Sequence, residues 1–401
     1  MRTIISTFTL ECGTIMNDVP VAYRTWGQLS PNGDNVMVIC HSSSDDVDVE
    51  TWWSPLFGGH ERAIDTTRYF VICMNSLGSP YGTASPCTDY SHGFRWGPDF
   101  PPTTIRDDVR LHKLLLDHLG IKQVAVVIGG SMGGMLVLEW AFFGAKYVRT
   151  IVPIATTAQT SAWCIAWGES QRQSIFSDGR YEHGYYPPHQ QPRVGLAAAR
   201  MSALLASRSR TYYETKANWA PTSVPEPQEK SSLVNTRDDL GVDTEGTNQL
   251  QRNGNTTSPL LSPVCRSRIT LATQSTKHKT HSPPAVQRYL HDEAERFVSR
   301  FDANCYIALT RKIDTHDIAR GRFKNSAAAL AVLTQPALVI GIASDWLYPL
   351  VEQQELAEGL PYGQLIVIDT DVGHLGFMMQ SDAAEMMNGA IIKFLRDFLE
   401  W

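Results

Sequence analysis

One serine, set among glycines, opens the chemistry of this chain. Gly129-Gly130-Ser131-Met132-Gly133-Gly134 fits Gly-x-Ser-x-Gly, the sharp strand-to-helix turn that lifts a hydroxyl into reach of a substrate. Such a hydroxyl is a weak nucleophile until a base takes its proton, and the base needs an acid to orient it. In this pattern the three follow the chain order serine, acid, histidine. Asp345, in Gly341-Ile-Ala-Ser-Asp345-Trp-Leu-Tyr-Pro349, and His374, in Asp371-Val-Gly-His374-Leu-Gly-Phe377, keep that order. His316, between Asp314 and Asp317, is a rival base, but it precedes Asp345, so chain order assigns it a structural role. The chemistry implied is acyl transfer through an acyl-serine. Its oxyanion needs amide donors. Met132, opening a helix, is one candidate; Ser43, in the loop Cys40-His41-Ser42-Ser43-Ser44-Asp45, is the other. Plainer readings stand beside these: a tight turn with an incidental serine, and a polar surface loop at 41–45.

These residues need elements to position them. Val36–Cys40, Tyr69–Cys73 and Val124–Ile128 are short, continuous apolar runs, the signature of strands buried on both faces. Val21–Thr25, Thr150–Ile154, Ala337–Gly341 and Leu365–Asp369 also read as strands. Between them, apolar residues at 105, 109, 111, 114, 115, 116 and 119 predict a helix that stops at Gly120. Met132–Phe143 predicts the next helix, and Asp382–Trp401 a long amphipathic one with Phe394, Leu395 and Phe398 against the sheet. This alternation predicts an α/β fold with a mostly parallel sheet. Ser131 then opens a helix, and Asp345 and His374 fall on loops at strand C-termini, where sites in open α/β sheets gather.

Residues 165–325 break the alternation. Val194–Ser207 and Ala285–Phe301 read as helices. Between them, about 216–284, a stretch rich in Ser, Thr, Asn, Pro and Gln predicts a flexible insertion. The expected organisation is a core in two pieces, 1–165 and 326–401, around a helical lid at 166–325. The chain has 401 residues and a formal net charge of −6, which argues against a nucleic-acid partner. No run approaches the ~20 apolar residues of a membrane helix. With no secretory pattern at the N-terminus, the expected compartment is the cytosol. Seven scattered cysteines, with no Cys-x-x-Cys pair, indicate neither a zinc site nor a disulfide framework, and Cys40 and Cys73 read as buried thiols.

Longer motifs carry a resemblance. Phe8-Thr-Leu-Glu-Cys-Gly13, Val21-Ala-Tyr-Arg-Thr-Trp-Gly27, Asn75-Ser-Leu-Gly78, Thr104-Ile-Arg-Asp107, Gly130-Ser-Met-Gly-Gly-Met135, Phe301-Asp-Ala-Asn304 and Asp314-Thr-His-Asp-Ile-Ala-Arg-Gly-Arg322 resemble the homoserine O-acetyltransferase group of α/β-hydrolase enzymes, nearest its fungal deacetylcephalosporin-C acetyltransferase branch. The resemblance implies the α/β-hydrolase fold, a homodimer through the lid helices, and ping-pong transfer from acetyl-CoA, a donor substrate rather than a bound cofactor. Ser131 would be the nucleophile, His374 the base and Asp345 its partner. It also implies that Arg200, in Gly195-Leu-Ala-Ala-Ala-Arg200, holds an acceptor carboxylate; a solvated helix charge is the plainer reading. Three positions depart from the family. Leu375 stands where an Asp would meet the acceptor's ammonium, Ser207 where a Tyr follows the lid arginine, and Ser43-Ser44 where Leu-Thr follows His41. A missing counter-ion is costly when buried, so the expected acceptor is a secondary-metabolite alcohol. Homoserine, an esterase acting on water, and an inactive binding protein are the alternatives.

Overall fold

The computed structural model describes residues 1–91, 93–215, 285–378 and 382–399. The core is built on one eight-stranded sheet. Its strands are β1 (Arg2–Thr9), β2 (Ile15–Trp26), β3 (Val36–Cys40), β4 (Phe70–Met74), β5 (Val124–Gly130), β6 (Val148–Ile154), β7 (Ala337–Ile342) and β8 (Gly363–Ile368). They lie in the order β1-β2-β4-β3-β5-β6-β7-β8. From β4 to β8 every pairing is parallel; β2 runs antiparallel to β4, and β1 to β2. Residues of β3 and β5 are buried throughout, as their unbroken apolar runs require.

The period of two along each strand divides the core into two layers. Val36, Val38 and Cys40 join a cluster with helices α1 (Ile105–His118) and α2 (Met132–Ala141), whereas Met37 and Ile39 face a second cluster holding Trp53 and the C-terminal helix. Helix α1 starts on a reciprocal cap. The Thr104 hydroxyl accepts from the Asp107 amide, and the Asp107 carboxylate accepts from the Thr104 amide, both at 3.1 Å. It ends at Gly120, whose φ of +74° suits glycine.

Helices α3 (Ala162–Phe176), α4 (Arg193–Ser207), α5 (Arg210–Thr215), α6 (Ala285–Val298) and α7 (Ala303–Asp314) lie in sequence between β6 and β7. After β7 come α8 (Leu350–Gly359) and α9 (Asp382–Phe398). The expectation for 216–284 falls outside the described residues.

Several elements differ from the sequence reading. Strand β1, not anticipated, forms a hairpin with β2 through a turn where Leu10 N–H bonds Thr14 O at 2.9 Å. Helices α3, α5 and α7 lie in a stretch where the sequence predicts two helices only. Phe394 and Leu395 are buried, but Phe398 remains 37 % exposed, its ring tilted against that of Phe394 with centres 5.1 Å apart. Leu114, placed in the apolar stripe of α1, is also exposed.

Candidate active site

Ser131 sits between β5 and α2 with φ +58° and ψ −125°, a conformation that costs an L-residue about 1–3 kcal/mol. The surroundings enforce it. Its amide donates to Ile154 O at 3.0 Å, and its carbonyl accepts from Thr156 Oγ1 at 2.9 Å and Gly134 N at 2.9 Å. The flanking glycines are required by space rather than by φ. A Cβ on Gly133 would lie 2.1 Å from Cys40 O, one on Gly130 2.4 Å from the Phe377 ring, and one on Gly134 2.6 Å from Thr156.

Asp345 follows β7. Its Oδ1 accepts from the amides of Leu347 at 2.8 Å and Tyr348 at 2.9 Å, leaving Oδ2 to face His374 Nδ1 at 2.7 Å. His374 follows β8, after Gly373, whose φ is +87°; a Cβ there would meet the Ser209 amide at 2.5 Å. The carboxylate can only accept, so Nδ1 carries the proton and the Nε2 lone pair faces Ser131 Oγ at 2.9 Å. The Asp345 side chain is fully buried and that of His374 nearly so. Tyr348 and Phe377 meet the imidazole edge-on, with ring centres 5.2 and 5.7 Å away. Three residues spread over 243 positions thus form one hydrogen-bonded chain, able to remove a proton from the serine as it attacks an acyl carbon.

The Oγ opens into a pocket of about 910 Å³, its mouth included, lined by Ser43, Arg200, Ser207 and Leu375 together with Ser131 and His374. Met132 opens α2, so its amide has no intrahelical acceptor. Ser43 is thus in the pocket, and its loop is shaped by His41, whose Nδ1–H donates to Ser42 O at 2.7 Å while Nε2 accepts from the Ser76 amide at 3.1 Å. Burial pushes the pKa of His41 below its ordinary value, in keeping with this neutral form. Arg200 lies over the Phe297 ring, 4.8 Å from its centre. Its Nε is buried without a hydrogen bond. Burial pulls its pKa down, so a cation is held here at a cost that an anionic ligand would offset.

His316 is not part of this assembly. Its Nε2 bonds Thr157 O at 3.0 Å, and burial drops its pKa to about 4. Sequence reasoning missed the groups that steady the His374 loop. Ser344 Oγ accepts from the Gly373 amide at 3.0 Å, and Ser209 binds the carbonyls of Asp371 and Val372. It also missed Arg300, which donates to Ser44 O at 2.9 Å. Serines and an arginine on loops carry no periodic signal; only their partners across the chain reveal them.

Comparison with known proteins places this geometry. Residues 35–379 match the α/β hydrolase fold family. Homoserine O-acetyltransferase of Emericella nidulans is 47 % identical over 428 aligned positions, covering 99 % of this chain and 86 % of that protein. Among solved structures, esterase E22 aligns with a TM-score of 0.77 at 23 % identity, over 98 % of this chain and 99 % of that one. Homoserine O-acetyltransferase from Bacillus anthracis aligns with the same TM-score and identity, over 98 % of this chain and 96 % of that one. At that identity the two structures speak for the fold alone. The chain belongs to the α/β-hydrolase family, in the acyltransferase group of the homoserine O-acetyltransferases.

Proposed function

We propose that this enzyme moves an acetyl group from acetyl-CoA to the hydroxyl of homoserine, with Ser131 as nucleophile, His374 as general base and acid, and Asp345 as its orienting partner. His374 Nε2 takes the Ser131 proton as Oγ attacks the thioester carbon. The amides of Met132 and Ser43 receive the oxyanion. Collapse breaks the carbon–sulfur bond, His374 returns the proton to the departing thiolate, and acetyl-Ser131 remains. The acceptor hydroxyl then loses its proton to His374 and attacks the acetyl carbon, regenerating Ser131. Arg200 holds the acceptor's carboxylate; a planar, permanently charged guanidinium suits a bidentate contact.

The observation that carries this reading is a half-buried arginine, its buried Nε without a hydrogen bond, in the same pocket as the serine and histidine of the hydrogen-bonded chain. The 47 % identity to a homoserine O-acetyltransferase supports it over the secondary-metabolite alcohol expected from Leu375. Leu375 on the pocket wall favours a second reading, an acceptor without an ammonium or water itself. Asp314 is an acid that also lines the pocket, already paired with Arg172 at 2.6 Å.

The experiment is incubation with acetyl-CoA and, separately, homoserine, uncharged alcohols or buffer alone, following CoA release and acetyl-Ser131 by mass spectrometry. O-acetylhomoserine formation well above the other alcohols supports the proposal. Acylation followed by equal turnover in buffer supports the esterase reading, and absence of acyl-Ser131 refutes both.

A further inference from the structure

Cys87 and Cys305 are 218 positions apart, yet their sulfurs lie 3.6 Å from each other. Cys87 is half-buried on the loop after β4, and Cys305 is buried in the first turn of α7. Both backbones are fixed. The Cys87 amide donates to Ser85 Oγ at 3.3 Å, and the Cys305 amide to Asp302 Oδ1 at 3.1 Å. Asp302 completes a group of three potential ligands within 4.8 Å. Its other oxygen, however, accepts from Tyr186 Oη at 3.0 Å, and the carboxylate caps α7. The carboxylate is therefore engaged already, and the two sulfurs are the reactive part of the cluster.

We propose that Cys87 and Cys305 form a reversible thiol–disulfide pair that staples the loop after β4 to helix α7. A bonded pair needs its sulfurs about 2.0 Å apart, so closure asks for a movement of about 1.6 Å, shared between a loop and a helix end. The oxidant is a low-molecular-weight disulfide such as oxidised glutathione. The Cys87 sulfur, as thiolate, attacks it, forming a mixed disulfide and releasing one glutathione thiol. The Cys305 sulfur then attacks Cys87, its proton leaving with the second glutathione thiol. Two protein thiols and one disulfide become one protein disulfide and two thiols. Cys305 suits the second role because it is buried, out of reach of a bulky oxidant, with its sulfur already 3.6 Å from that of Cys87. The staple fixes the helix whose next residues, Tyr306, Leu309 and Thr310, wall the pocket.

The test is oxidation of the full-length enzyme with glutathione disulfide, read by intact mass, peptide mapping and thermal unfolding. The expected result is a mass loss of about 2 Da, one linked peptide pair containing Cys87 and Cys305, and a Tm rise of several degrees that dithiothreitol reverses. Cys87→Ser, at a half-buried site, must keep the reduced protein's Tm and show neither the link nor the rise; Cys305→Ala gives the same reading where it folds. Glutathione left on Cys87 without the link, a link to another cysteine such as the exposed Cys12, or a link without any change in Tm overturns the proposal.

Discussion

Replacing Asp345 by Asn tests the hydrogen-bonded chain most sharply, because shape is preserved and only charge and donor pattern change. The amides of Leu347 and Tyr348 bind Oδ1 at 2.8 and 2.9 Å, so the asparagine carbonyl is drawn to them. Its NH2 group then faces His374 Nδ1. The ring must accept there, which moves its proton to Nε2, and Nε2 can no longer take the serine's proton. The carboxylate's attraction for the imidazolium formed during attack is lost as well. For unit charges 2.7 Å apart at an effective dielectric constant of about 20, that attraction is about 6 kcal/mol. At about 1.4 kcal/mol per decade the acylation rate falls by roughly 10⁴, the scale such an exchange has in serine proteases. The assay is the rate of acetyl-Ser131 formation from acetyl-CoA in a single turnover, alongside a thermal melt showing that the variant is folded. A loss smaller than tenfold in a folded variant would refute the assignment of His374 as the base oriented by Asp345.

Four further outcomes follow. Ser131→Gly abolishes acylation yet raises stability by about 1 kcal/mol, because glycine accepts a φ of +58°; an unchanged or lower Tm counts against strain at the elbow. Gly133→Ala puts a carbon 2.1 Å from Cys40 O and costs at least about 1–3 kcal/mol with near-complete loss of acylation, checked by denaturant midpoint and burst amplitude. Arg200→Lys raises the KM for homoserine by about 10- to 100-fold while acyl-Ser131 forms within threefold of the normal rate; a matching fall in acylation would move Arg200 to the donor side. His316 is held neutral when folded, with its pKa pushed down to about 4. Its stabilising effect is complete above pH 6.5 and is lost as pH falls toward 4, by about 3 kcal/mol, so His316→Gln must flatten unfolding free energy against pH in that window.

The parts of this molecule that were legible in its sequence are those whose burial is apolar. Strands β3 and β5 are wholly buried, so hydrophobic runs outline them, and glycines crowded against Cys40 and Phe377 mark the turn. Strand β1 is an edge strand with mostly exposed side chains, and its composition gave no stripe. Helices α3 and α7 bury polar residues, which breaks the helical pattern. In α3, Gln171 meets Tyr306 Oη at 2.7 Å and Arg172 meets Asp314 at 2.6 Å. In α7, Lys312 is fully buried against Asp108, 204 positions away. A buried lysine reads as a surface residue until its partner is known. The roles of Arg200 and Leu375 came from family resemblance, because a lone arginine or leucine on a helix or loop has no spacing that announces a ligand.

The motifs outside the site explain how the pocket is assembled. Glu11 receives Arg106 at 2.6 Å and Arg320 at 2.8 Å, and Glu139 lies 3.4 Å from Arg106 and binds Arg322. Glu139 belongs to α2, the helix that Ser131 opens, and Arg320 and Arg322 follow α7. The network therefore ties the turn after β1 and the helices α1 and α2 to the segment leaving the pocket wall. Glu139 is the buried member, and without its arginines its charge would be left uncompensated; none of these residues lines the pocket itself. Esterase E22 and a homoserine O-acetyltransferase align with this chain equally well. The fold alone thus does not choose between water and an alcohol. Selection must lie in the walls that the network holds in place. Arg200, the proposed anion site, and Leu375 both line the pocket there.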